Sequence, residues 1–184
     1  MNRLVLFACM LALVLALPSG LSAQGEEKKE GGDPAAEMPM PEPPAEMAQL
    51  ANWVGEWKVE MGGEGHPMQV GTYVVRKALK DRGYIGEFTL PDFEGHAVYT
   101  FDTKGMKWHL FWFDCMAPGH VGDWTGEFKD DTLTVEAMED MGGGPQPMRI
   151  TEKWDGKDKC TWTMEAKQGE AWGPVMSGVY TRTK

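Results

Sequence analysis

From Met47 onward the chain alternates apolar and polar residues with a period of two. In "TLTVEAM", Leu133, Val135 and Ala137 alternate with Thr132, Thr134 and Glu136. In "KCTWTMEAK", Cys160, Trp162, Met164 and Ala166 alternate with Thr161, Thr163, Glu165 and Lys167. Side chains of a strand point to opposite faces in turn, so this pattern predicts half-buried antiparallel strands. The same reading predicts strands over Asn52–Met61, Met68–Leu79, Gly83–Leu90, His96–Asp102 and Lys107–Cys115. It extends over Val121–Phe128, Pro147–Trp154 and Val175–Thr183. Gly62-Gly63, Lys104-Gly105, Asp130-Asp131, Gly142 to Pro145 and Asp155-Gly156 supply the turns between them. A short turn near Pro44–Leu50 is the one helical candidate. About ten short strands at near-regular spacing predict an all-β fold, an antiparallel up-and-down barrel. A two-sheet β-sandwich is the alternative, because periodicity does not pair the first strand with the last.

Two strands depart from simple alternation. "KWHLFWFDC" is apolar on both faces, with Trp108, Leu110 and Trp112 on one and Phe111 and Phe113 on the other. That suits a strand whose inner face lines an interior while its outer face is also covered. "VGDWTGEF" sets Gly122 and Gly126 between Trp124 and Phe128 on one face, a small–large interleaving that either fills a barrel or leaves it a pocket. If a pocket exists, its expected lining is Tyr73, Phe88, Tyr99, Phe101, Trp108 and Trp112. Asp114 and His109 are the polar candidates, on opposite faces of their strand, so at most one points inward.

The residues ahead of the patterned region read differently. Arg3, the apolar run Leu4 to Leu17, the break at Pro18 to Gly20 and the small residues Leu21-Ser22-Ala23 form a secretory signal peptide over residues 1–23. The run is too short to span a bilayer as a helix, and the chain holds no second apolar stretch of spanning length. Residues 24–46, rich in Pro, Glu and Gly, lack apolar periodicity and are expected to form a disordered tether, with the barrel domain over 47–184. The chain is therefore expected to be exported, periplasmic or extracellular. Its formal charge of −10 makes nucleic acid an unsuitable partner and favours solubility.

Gly55-Glu56-Trp57 on the first strand, a meander to the C-terminus and "GVYTRTK" at its end resemble the calycin superfamily. In lipocalins and relatives the tryptophan of such a Gly-x-Trp closes one barrel end against an Arg or Lys from the end of the fold. The resemblance implies that Trp57 and Arg182 form that structural pair. More narrowly, "WVGEWKVE", "GHAVYTFDTKGMKWHLFWFD" and "GDWTGEFKDDTLTV" resemble a lipocalin-like bacterial family known only as a domain of unknown function, over about Leu50 to Arg182. Nitrobindins, haem-binding calycins with a similar first strand, take their iron ligand from a histidine near the C-terminus. Here no histidine follows His120, so no haem and no other cofactor is expected.

Catalytic signatures are sparse. Ser177, the one serine after residue 23, lacks the Gly-x-Ser-x-Gly elbow of a hydrolase. Cys115 has His120, Asp114 and Asp123 nearby in sequence, yet it continues an aromatic strand, where cysteine is ordinary packing. His66, His96, His109 and His120 show no metal-binding spacing, and no metal is expected. Cys115 and Cys160 fall on the fifth and ninth strands, far apart around a meander, so two free, buried thiols are expected rather than a disulfide. The expected function is binding of a small apolar or amphipathic ligand in the barrel. The rivals are an envelope protein working through its surface and, with least support, a small-molecule enzyme.

Overall fold

A computed structural model describes residues 40–63 and 65–184. The expected signal peptide and most of the expected tether lie outside the described residues. Ten strands form one antiparallel sheet: β1 (Gly55–Gly63), β2 (His66–Ala78), β3 (Gly83–Leu90), β4 (Phe93–Asp102) and β5 (Lys107–Asp114), then β6 (Gly122–Lys129), β7 (Thr132–Glu139), β8 (Gln146–Asp155), β9 (Lys159–Gln168) and β10 (Ala171–Arg182). Each strand pairs with its neighbour in sequence, and β10 returns to β1, closing the barrel. That pairing excludes the sandwich. An open sheet would leave two rows of unpaired backbone groups, and closure removes both.

The turn chemistry works as expected where the backbone demands it. Asp130 and Asp131 both take positive φ, 50° and 56°, as a two-residue hairpin that follows the sheet twist requires. No helix among the described residues is long and apolar enough to cross a membrane.

The first expected strand starts too early. Asn52 and Trp53 belong instead to a 3-10 helix over Ala45–Trp53, longer than the short turn expected there. Its Met47, Leu50 and Trp53 are buried, so the helix inserts an apolar side into one barrel end. Tyr84 donates its hydroxyl to the Met47 carbonyl, and the Trp108 indole N–H donates to Gln49 Oε1, 3.1 Å away. The connections 79–82, 103–106, 130–131 and 156–158 lie at this closed end. The connections 91–92, 115–121, 140–145 and 169–170 lie at the other.

Arg182 locks the closed end. The register sets Trp57 opposite Arg182, and the guanidinium lies over the indole with its carbon 4.2 Å from the ring centroid. The same guanidinium donates to the carbonyls of Val54, at 2.8 Å, and Asn52, at the exit of the helix. It also donates through Nε to the Lys157 carbonyl at 2.9 Å. Gly55 sits beneath it at φ 147°, where a β-carbon would collide with Arg182 Nη1. Gly-x-Trp is thus a steric requirement: glycine leaves room for the guanidinium that the tryptophan receives. Trp57 in turn donates its indole N–H to the Trp53 carbonyl at 2.8 Å.

Arg182→Lys keeps the charge but loses the planar fork that serves several carbonyls, and should cost roughly 2 kcal/mol. Trp57→Ala should cost about 3–5 kcal/mol, as large core truncations do. Urea unfolding measures both, and a Trp57→Ala chain as stable as the parent would contradict the locking role.

Candidate functional site

Seen from inside, the barrel has two unlike halves. The closed half is filled with rings, of which Phe101 and Phe128 at its rim stay partly exposed. Trp53 sits at its centre, edge-on to Trp57, Tyr73, Trp154 and Tyr180 at centroid distances of 5.1 to 5.5 Å. Edge-to-face contacts add to the burial energy because ring edges are positive and ring faces negative.

Within this aromatic mass lies one carboxylate. Glu152 on β8 is 3% exposed and is the buried charged residue of the described core. Its strand reads inward as Met148, Ile150, Glu152 and Trp154, each on the apolar parity. Tyr99 donates its hydroxyl to Glu152 Oε1 at 3.0 Å, and Trp53 donates its indole N–H to Oε2 at 3.2 Å. Tyr73 donates to the Tyr99 hydroxyl at 3.3 Å, extending the chain by one link. Burial raises the Glu152 carboxyl to about 7, against the two donors that favour its charged form. Burial, then the Glu152 charge, also pushes the phenol of Tyr180 and the thiol of Cys160 up. Sequence reading passed over Glu152 because "ITEKWD" looks polar. The signal was a charged residue on the parity of Ile150 and Trp154.

The other half is less filled. Inward-facing Leu90, Trp124 and Met148 are buried there, but Met61, Phe93, Trp112, Ala137 and Met164 are only partly so. Trp162, opposite Glu152 on one side and Gly178 on the other, is also only partly buried although it faces inward halfway along the barrel. A depression of about 370 Å3 opens at this rim, lined by Gly62, Gly63, Met68 and the β10 segment Pro174 to Ser177. There β10 carries a bulge between Pro174 and Met176 that interrupts its pairing with β9. Phe93 stacks on Trp112 at 6.3 Å and 11°, and the Trp112 ring occupies the place where a side chain at Gly95 would stand.

The expected lining residues fall in both halves. Tyr73, Tyr99 and Trp108 belong to the closed half; Phe88 packs between Tyr73 and Trp112; Trp112 and Asp114 face the open half. Phe101 lies beside Trp108 at the closed rim, away from the opening. His109 is on the outer wall, stacked on Phe111 and 2.9 Å from Asp123, so it is no lining residue. Asp114 accepts the Trp112 indole N–H at 2.8 Å and the backbone N–H groups of Met116 and Ala117, which folds the loop after β5. His120 on that loop pairs with Glu139 at the end of β7, 2.9 Å away. Cys115 and Cys160 are free, as expected, but Cys115 is exposed rather than buried, since it lies just past the end of β5. No group of three or more potential metal ligands occurs among the described residues.

Residues 42–182 match the family described as Protein of unknown function (DUF1579). The chain belongs to that family. A comparison with curated proteins finds no match. Among solved structures the chain is similar to the crystal structure of Rv2717c from M. tuberculosis, at 10% identity and a TM-score of 0.52, over 78% of this chain and all of that one. At that identity the likeness bears on the barrel fold alone. Looser likenesses are to the S-type phycobiliprotein lyase CPES from Guillardia theta, 12% identical over 77% and 99% of the two chains with a TM-score of 0.45. Another is to the redesigned β-barrel mFAP0 bound to DFHBI, 14% identical over 71% and 99% with a TM-score of 0.40. Neither carries an argument about this family member.

Two outcomes follow from the interior. The folded state holds a proton on Glu152 up to about pH 7, whereas an unfolded glutamate releases it near 4.5. The folded chain therefore binds more protons between those values, and stability falls as pH rises through them. Against Glu152→Gln, the parent should lose roughly 3 kcal/mol between pH 4 and 8 in urea unfolding, at about 1.4 kcal/mol per pKa unit. An equal pH dependence in both chains would contradict the assignment. Cys115 should react with an alkylating reagent in the native state while Cys160 waits for unfolding, as intact mass would show.

Proposed function

We propose that this chain is an exported, lipocalin-like binding protein that takes a small amphipathic molecule into the open half of its barrel. The observation that carries the reading is the unequal filling of the interior. A barrel built only for stability gains by burying every inward ring, yet Trp112, Trp162, Phe93 and Met164 are left partly accessible. The closed half supplies rigidity: with Trp53, Trp57 and Arg182 fixed, the opposite loops can admit a ligand without loosening the sheet. Export is supported by the residue pattern of positions 1–23, and the place in the calycins by Gly55, Trp57 and Arg182. No bound cofactor belongs to this reading.

Titration with ten-carbon amphiphiles, followed by tryptophan fluorescence and native mass spectrometry, tests it. Trp112→Ala should weaken binding at least about tenfold, and Ala137→Phe, which fills the open half, should abolish it while the fold persists. Trp57→Ala should lower stability without a comparable change in affinity. Absence of binding by the parent across charged and neutral amphiphiles would defeat the proposal.

A further inference from the structure

The open half has a sign. Among the described residues, every inward ionisable side chain there is an acid: Asp114 at the end of β5 and Glu139 at the end of β7, with Glu152 below them. Glu139 is largely buried, its side chain 11% exposed, and its Oε1 lies next to the space that Gly122 leaves empty. The connections 91–92, 115–121, 140–145 and 169–170 contain Asp92, Asp140 and Glu170 and no Lys or Arg. At the closed end the connections carry Lys80, Arg82, Lys104 and Lys157, balanced by Asp81, Asp130, Asp131 and Asp158, so that they are neutral while the open-end connections are negative. The charge of the barrel is therefore graded along its axis.

The same rim is unusually apolar. Met68, Met116, Val121, Met138 and Met141 are exposed on or beside the connections that surround the opening, Met116 by 76%. Methionine side chains are flexible and polarisable, and they adapt to ligands of differing shape. An apolar ring whose connections bear carboxylates and no Lys or Arg matches a molecule with an apolar body and a positive head. A fatty acid would bring its own carboxylate against Asp114 and Glu139, a repulsion made stronger by the low-dielectric interior.

We infer that the open half selects cationic amphiphiles: a protonated amine at Asp114 and Glu139, with its hydrocarbon tail against Trp112, Phe93 and Met164. The inference rests on the binding reading above. It adds the charge of the ligand. His120, paired with Glu139, is the group that an incoming ammonium would displace from that carboxylate.

Three probes of equal chain length separate the possibilities: decylamine, decan-1-ol and decanoate, titrated at neutral pH below their aggregation thresholds. The expected order is amine tighter than alcohol, and alcohol tighter than carboxylate, with about tenfold or more between the ends. The order should collapse in Asp114→Asn/Glu139→Gln. It should survive in Glu94→Gln/Glu127→Gln, which removes two exposed acids on the outer wall. Should the inner variant fail to fold, raising the salt to about 1 M, where charges are screened within about 3 Å, should compress the order in the parent. Equal binding of all three, or an order unchanged by the inner variant or by salt, overturns the charge inference and leaves the binding proposal standing. Binding of none of them overturns the binding proposal itself.

Discussion

The guanidinium of Arg182 is where the fold is made whole. One planar group stacks on Trp57, caps the exit of the 3-10 helix at Asn52 and Val54, and reaches the turn before β9 through Lys157. The seam between β1 and β10, the plug and the C-terminus are three separate problems for a meander. Each leaves backbone carbonyls near the barrel end that need donors. Arginine has five donors in a fixed plane and can meet several at once, which an ammonium cannot. Because that end is settled so firmly, the opposite end is free to vary in its loops.

The interior repeats this division of labour in energetic terms. In the closed half the rings bury each other and leave little room; two of their polar handles, the Trp53 indole and the Tyr99 hydroxyl, are spent on Glu152. A buried carboxylate without donors would be severely destabilising, and with them it remains a tunable group rather than a defect. It also ties the plug to the far wall, since Trp53 belongs to the helix and Glu152 to β8. The binding reading follows from the contrast between this half and its neighbour.

Much of the fold was legible because strand alternation records which face is buried. Thr132 to Met138 and Lys159 to Lys167 could be assigned residue by residue. Gly55, Trp57 and Arg182 pointed to closure only through a family resemblance, since nothing local links residues 127 apart. Trp53 was misread as strand because an apolar residue that plugs a barrel and one that lines it look alike in a short window. The Lys107–Cys115 strand left His109 and Asp114 unplaced: a strand apolar on both faces offers no polar face by which to orient it. Outside the barrel, His109 finds Phe111 and Asp123, a small polar–aromatic cluster that only the register reveals. Glu152 was hidden for the opposite reason, its charge suggesting solvent where parity indicated core.

The meander has a consequence for the chain as it is made. Nine of its ten pairings join neighbouring strands and can form as each hairpin emerges from the ribosome. The tenth unites Trp57 to Gly62 with Ser177 to Arg182, on the last of the ten strands to be made. Until then β1 keeps an open edge, a template for any other extended chain nearby. Residues 177–182 are thus also a safeguard against aggregation, and a barrel without them would leave the β1 edge exposed.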